Sequence, residues 1–328
     1  MARLDVAIIG CGAISEKAHL PAAMKIPSIR VAALVDANRA RAEELAARYG
    51  IAQTAESFNA LPNPPRAAIV ALPHHCHAPV ATALLRQGVH ALVEKPMALS
   101  SAEACEMLCA AEAGGASLTA GMVRRFLPEL RLAKQVVASG VLGEIIGFSV
   151  REGRIYDWPS LTDGPLRKDS AGGGVLIDVG VHVLDSLCFC LGELAVVDYA
   201  DDCFGGVEAD AEIVLILASG VRGRVELSRT RDLGNTTRIE GSEAVLEVNL
   251  VRRKVSMTVQ GETIVLLPGK EHGEADIFGA QVADWAESIL EARSPMVPGS
   301  EALKSLALIE DCYARRRTLR PIWMIPVA

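Results

Sequence analysis

The first 120 residues alternate short Val-, Ile- and Ala-rich runs with longer amphipathic stretches. The runs 4–9, 30–35, 67–72, 89–93 and 116–119 are apolar at nearly every position, the pattern of strands covered on both faces. Between them, 18–25, 39–49, 79–87 and 102–113 read as helices, and Ser100 with Glu103 makes a capping-box pair ahead of the last. Strands alternating with helices of this length predict a doubly wound parallel sheet.

The rhythm changes after Met122. A helix is expected over 127–139, a strand over 144–151, then a polar loop to 171, a glycine triplet at 172–174 and a helix over 176–191. From 195 to 267, strand-length runs are separated by turn signals such as Ala218-Ser219-Gly220, Leu233-Gly234-Asn235 and Gln260-Gly261-Glu262. Direct strand-to-strand links of that kind predict an open, mainly antiparallel sheet. Helices near 277–292 and 300–315 close the chain. The expected architecture is α/β: a nucleotide-binding domain over 1–121 and an α+β domain over 122–328, with the helix near 300–315 free to pack back on the first.

Composition narrows the function classes. A chain of 328 residues accommodates two domains. A net charge of −7 without a long basic run argues against nucleic acid and against an anionic membrane surface as partners. The longest apolar runs, such as 67–72, are far below the ~20 residues of a membrane span, and a strand-like run starting at Leu4 leaves no room for a cleavable leader. The eight cysteines form no Cys-x-x-Cys pair and sit mostly in apolar segments, so they are expected reduced and buried, in a cytoplasmic protein.

Two segments carry chemistry. Strand 4–9 runs into Gly10-Cys11-Gly12-Ala13-Ile14-Ser15 and then a helix. Gly10 suits the tight turn, Gly12 lets the backbone approach a pyrophosphate, and the N–H groups from Ala13 and Ile14 onward supply donors at the positive end of a helix dipole. Ser15 takes the third position, usually Gly or Ala. Asp36, at the end of the second strand, suits an adenosine ribose and repels a 2′-phosphate, favouring NAD; Arg39 nearby leaves NADP open, although it reads first as a solvated residue in the first turn of its helix. The second segment is Gly172-Gly173-Gly174 followed by Asp178, His182 and Asp185, which share one face of a helix that is otherwise apolar. Ionisable groups on such a helix form either a satisfied core network or a proton-handling site, and an Asp–His pair is suited to accept a proton. Helical spacing strains these three into a poor metal set, so no metal is expected. Glu94-Lys95-Pro96 ends the fourth strand, where open parallel sheets bind ligands, and Lys95 there is placed to meet a substrate oxygen with Glu94 balancing its charge.

With these motifs in order, the chain resembles the glucose–fructose oxidoreductase/inositol dehydrogenase/rhizopine catabolism (Gfo/Idh/MocA) family over nearly its whole length. Arg124-Arg125-Phe126-Leu127-Pro128 is similar to that family's entry to its second domain, and residues 139–147 to its lead into the first sheet strand. The resemblance implies a Rossmann domain joined to an open antiparallel sheet, with NAD or NADP as cofactor. It implies Leu72, Pro73, His74 (where the family has Asn), His77, Glu94, Lys95, Pro96 and Arg125 as cofactor contacts, with the proline often cis. It implies Lys95, Asp178 and His182 as catalytic residues, with His182 as general base, and Asp185 and Arg124 beside the substrate. The loop ahead of the glycine triplet, with Tyr156, Trp158 and Arg167, reads as a substrate reader or a subunit contact.

The implied activity is hydride transfer between nicotinamide and a secondary alcohol or ketone of a sugar, cyclitol or nucleotide-sugar, by a homodimer or homotetramer assembled through the second-domain sheet. Alternatives on the same fold are an NAD-dependent glycoside hydrolase and a non-catalytic dinucleotide-binding regulator; a methyltransferase would leave Lys95 and His182 without a role.

Overall fold

The computed structural model describes residues 3–157, 163–203, 206–269 and 274–319; Trp158 of the polar loop lies outside them. In chain order the elements begin with β1 (Leu4–Ile9), α1 (Leu20–Ala23), β2 (Ile29–Val35), α2 (Arg39–Tyr49), β3 (Gln53–Ala55), β4 (Ala67–Val70), α3 (His74–Arg86), β5 (His90–Glu94), α4 (Ser101–Gly114) and β6 (Leu118–Gly121). The strands pair in the order β3-β2-β1-β4-β5-β6, all parallel. This order places the carboxyl ends of β1 and β4, where the order reverses, beside each other.

The expected elements differ from the observed ones in ways that follow from local chemistry. Proline favours the first position of a helix, which sets an expected start at Pro79; α3 instead begins at His74 after Pro73 and carries Pro79 inside it. The helix expected over 18–25 opens as a π turn, Ser15–His19, before α1. Ser100 accepts from the Glu103 N–H, while the Glu103 carboxylate reaches the Leu99 N–H rather than that of Ser100. All eight cysteines are free, but only Cys11 and Cys312 are buried. Cys105 and Cys109 are exposed, since α4 buries Ala104, Met107, Ala110 and Ala111 and turns its other face outward.

The chain continues with α5 (Pro128–Ala138), β7 (Ile145–Gly153), α6 (Lys168–Ala171), α7 (Val181–Leu191), β8 (Leu194–Asp201), β9 (Asp210–Leu217), β10 (Arg222–Ser228), β11 (Thr236–Gly241), β12 (Ala244–Asn249), β13 (Lys254–Val259) and β14 (Glu262–Leu267). It closes with α8 (Glu274–Leu290), α9 (Gly299–Ala314) and β15 (Arg317–Thr318). The second sheet runs β14-β13-β12-β11-β7-β10-β9-β8-β15, antiparallel except at the β7–β10 and β8–β15 pairs. Helix α5 packs on α7, β12 and β13. By length and mean hydropathy the stretch Lys168–Leu191 would pass for a membrane span, although it is not a continuous apolar run. It is broken at Gly172, carries Asp178, His182 and Asp185, and continues into α7, whose Val181, Val183, Leu184 and Leu187 are buried within this unit.

The described residues divide into one unit of 3–126, 163–165 and 274–303, and another of 127–157, 166–203, 206–269 and 304–319. The expected boundary after 121 assigns α8 to the second domain, whereas α8 belongs to the first unit. Val282, Trp285 and Ala286 of α8 are fully buried in one apolar cluster with Val6, Ile8, Leu34, Leu45, Ile69 and Leu92. The reason is volume: an Ala-rich sheet with few aromatic residues needs a large side chain to close its core, and the indole comes from more than 150 residues downstream of β6. Trp285→Ala is therefore expected to destabilise the first unit by about 3–5 kcal/mol in urea unfolding. A fragment ending at Phe126 is expected to bind a hydrophobic dye and melt without a cooperative transition.

Candidate active site

The turn after β1 is built by backbone sterics. Gly10 sits at φ +98°, and a Cβ there would collide with the Ala71 carbonyl. The Ser15 hydroxyl, fully buried, donates to the Gly10 carbonyl at 2.6 Å and closes the turn. The departure at the third motif position is thus a lock, made by a side chain small enough to pack there. A Cβ on Gly12 would meet no atom within 4 Å, so the loop offers the open backbone approach that a pyrophosphate requires. Asp36 accepts the N–H of Cys11 at 2.7 Å and of Asn38 at 2.8 Å, which holds its carboxylate at the loop. Burial, with the Asp36 charge adding to it, pushes the Cys11 thiol up to about 12, so it is no nucleophile.

A cation at this loop is Arg41, a residue with no motif of its own in the sequence. Its Nε donates to the Cys11 carbonyl at 3.1 Å, and its other nitrogens pair with Glu16 and Glu44. Arg39 stands mostly exposed and pairs with Glu43 one turn along α2.

The Glu94-Lys95-Pro96 turn at the end of β5 contains a cis Lys95–Pro96 peptide. Glu94 is buried, and its carboxylate is held by His19 Nε2 at 2.8 Å and by the Lys95 backbone N–H at 3.1 Å. Burial would raise this carboxyl, but the His19 hydrogen bond and the charges of His19 and Lys95 outweigh it and hold Glu94 below the usual range. His19 stands at the end of the π turn, fully buried, with its ring edge-on to Phe278 of α8. Its only sequence signal is a histidine within one turn of the dinucleotide loop. His77 is also buried, with Nδ1 2.8 Å from the Pro96 carbonyl and Nε2 2.8 Å from that of Leu72, so its ring ties the end of β4 to the turn after β5. Burial pushes His77 below the ordinary imidazole range against the pull of both carbonyls. His74 packs 5.9 Å away, ring centre to ring centre. Arg125, buried, pairs with Glu301 at 3.2 Å; Arg124 is partly exposed.

In the second unit the glycine triplet has a steric cause. A Cβ on Gly174 would collide with the Glu208 backbone, and one on Gly173 with the Tyr313 hydroxyl. That close approach lets one oxygen of Glu208, a buried side chain, accept from Gly174 N–H at 2.8 Å, Leu176 N–H at 3.1 Å and Tyr313 O–H at 2.8 Å. A carboxylate at a helix start satisfies donors that have no partner within the helix and complements the dipole. The helix then opens with a π turn, Leu176–Gly180, which contains Asp178, before α7 carries His182 and Asp185. Single π turns inside longer helices recur at functional sites. Asp178 and His182 are partly exposed and Asp185 is buried, so the three positions differ in access. Asp178 bonds Arg229 Nη2 at 2.7 Å, a partner with no motif to announce it. Tyr156 is half-buried beside Arg229, and Arg167 is exposed and paired with Asp169. Among the described residues no cluster of His, Cys, Asp or Glu has the geometry of a metal site.

Residues 4–122 match the family model described as "Oxidoreductase family, NAD-binding Rossmann fold", and residues 130–247 match the GFO/IDH/MocA C-terminal domain. The chain belongs to the GFO/IDH/MocA oxidoreductase family. Among curated relatives, a putative UDP-kanosamine synthase oxidoreductase subunit of Amycolatopsis mediterranei is 33% identical over 58% of this chain and 52% of its own. A D-glucoside 3-dehydrogenase of Escherichia coli is 32% identical over 59% of this chain and 55% of its own. The chain thus spans about half the length of these two relatives. A solved 3-ketoreductase from Actinomadura kijaniata, in complex with NADP and TDP-benzene, shares the fold with a TM-score of 0.86 at 24% identity, covering 97% of this chain and 99% of that one.

In this GFO/IDH/MocA member the depressed Glu94 carboxyl ties stability to pH with a definite sign. An acid held low in the folded state stabilises fully above its unfolded value of about 4.3, and that contribution is lost as pH falls through the folded value. The stability difference between the wild type and Glu94→Gln, from urea unfolding, should therefore shrink as pH falls from about 5 towards 3. A difference unchanged at pH 3 would mean that the Glu94 charge contributes nothing there.

Proposed function

We propose that this chain transfers hydride between a nicotinamide dinucleotide and a secondary hydroxyl or ketone on a sugar ring, free or carried on a nucleotide. The observation that carries this reading is the Glu94-Lys95-Pro96 turn at the carboxyl end of β5, with Glu94 locked by His19, in a chain that also bears Asp178 and His182 at the head of a capped helix. Carboxyl ends of parallel strands are where open α/β sheets bind ligands. The names of the curated relatives, a D-glucoside 3-dehydrogenase and a UDP-kanosamine synthase subunit, support a sugar as the reacting partner.

The loop 10–15 would hold the pyrophosphate through backbone N–H groups, and Asp36 would accept from the adenosine ribose. When bound, the nicotinamide supplies the hydride acceptor or donor. His182 takes the hydroxyl proton during oxidation and returns it during reduction, and Asp178 stabilises the imidazolium. The Lys95 ammonium stabilises the negative charge that develops on the reacting oxygen. In this reading Leu72, Pro73, His74 and Pro96 would contact the cofactor, and Tyr156 and Asp185 the sugar.

Activity is tested by NADH or NADPH absorbance at 340 nm with D-glucose, D-xylose, methyl β-D-glucoside, levoglucosan, UDP-glucose and myo-inositol. Lys95→Ala and His182→Ala should each lower turnover on the order of 10²–10³-fold while dinucleotide binding persists. Unchanged hydride transfer in both variants removes the assignment.

Cofactor choice follows from charge. The Asp36 carboxylate opposes a 2′-phosphate, and the nearby cations Arg39 and Arg41 are already paired with glutamates. NAD should bind more tightly than NADP by roughly tenfold or more, or about 1.4 kcal/mol by calorimetry, and Asp36→Ser should narrow the gap.

A further inference from the structure

Arg229 follows the last residue of β10 and is the side chain of the second unit that the proposed chemistry leaves unused. Its backbone is held on two sides: its N–H donates to the Ala209 carbonyl at 2.8 Å, and its carbonyl accepts the Tyr156 N–H at 2.9 Å. The Arg154 N–H donates to the neighbouring Ser228 carbonyl at 3.1 Å, so the segment 154–156 is laced to this strand end. The Arg229 side chain is only 8% exposed. It donates from Nη2 to Asp178 Oδ2 at 2.7 Å and lies 4.8 Å from the centre of the Tyr156 ring. A buried cation without an anion is costly, so the pair keeps Asp178 ionised, and the aromatic face covers the cation on a further side.

The contact also restricts direction. Asp178 lies within the π turn, four residues before His182, and the Arg229 bond favours the rotamer that meets it. A guanidinium carried on a strand end that is bonded to two neighbouring segments holds one carboxylate oxygen from outside the helix.

We propose that Arg229 is a positioning residue for proton transfer: it holds Asp178 as an anion in one orientation on the helix that carries His182, with the Tyr156 ring packed against the guanidinium. This rests on the reading of Asp178 and His182 as the proton-handling pair. Arg229 touches neither substrate nor cofactor in this scheme; it acts through Asp178.

A double-mutant cycle separates this from a merely structural role. On the panel sugar with the highest kcat/KM, Arg229→Gln should lower kcat on the order of ten- to a hundredfold, with KM for the sugar and Kd for NAD within about twofold of wild type. Arg229→Lys, which keeps the charge, should recover most of the loss. The Asp178→Asn/Arg229→Gln protein should be no slower than Asp178→Asn alone, because the same interaction is already gone. Independent, multiplying losses in the double variant, or a Lys variant as slow as the Gln variant, would overturn the proposal and leave the role of Asp178 standing. Full turnover in Asp178→Asn, or no reduced nicotinamide from any panel sugar, would bring down the underlying reading and this proposal with it. Thermal melting of each variant shows whether the loss of kcat follows loss of fold.

Discussion

The start of the helix that carries Asp178 and His182 depends on one buried carboxylate. A single oxygen of Glu208 accepts the N–H groups of Gly174 and Leu176 and the hydroxyl of Tyr313. Arg316 approaches the other oxygen at 3.6 Å and also bonds Asp201, which accepts the Tyr199 hydroxyl. Burial, reinforced by Glu208, pushes the Tyr313 hydroxyl far above its usual range, so it remains a donor at any physiological pH. The glycine triplet is the steric condition for this cap, because a β-carbon at position 173 or 174 would occupy the space where the cap sits. The position of every chemically interesting side chain downstream, from Asp178 to Asp185, follows from that anchor.

The same logic recurs in the first unit with different residues. Ionisable groups of this unit are held by fixed partners: the buried Glu94 by His19, the buried Arg125 by Glu301, and the partly exposed Asp36 carboxylate by backbone N–H groups. Removing water from a charge is tolerable only when such partners replace it. In both units a π turn lies next to the chemistry, Ser15–His19 after the dinucleotide loop and Leu176–Gly180 at the head of the second helix. Such a turn inserts one extra residue, which re-aims the side chains around it; His19 and Asp178 are the residues so placed.

Much of this was legible in the residue pattern. Short apolar runs alternating with amphipathic helices led to the parallel sheet, because a strand buried on both faces must be apolar throughout. The glycine loop and Asp36 were readable because backbone geometry permits few other residues there. The partners were not readable. Arg229, His19, Arg41 and Glu208 are ordinary polar residues in sequence, separated from the groups they hold by 51, 75, 30 and 34 positions. An ideal-helix reading of positions 178, 182 and 185 also could not foresee the π turn, since π turns carry no periodic signal of their own.

Periodicity and local sterics, both short-range in the chain, determined the two kinds of sheet, most helices, the turn after β1 and the placing of Asp178 and His182 on one helical stretch. Long-range contact decided the rest: which unit owns α8, where Trp285 is needed to fill a core built mostly of small side chains; which carboxylates carry caps and ion pairs; and which cysteines face solvent. The physical reason is that burial energy depends on the total volume enclosed and on charge pairing in three dimensions, and neither is encoded by neighbours along the chain.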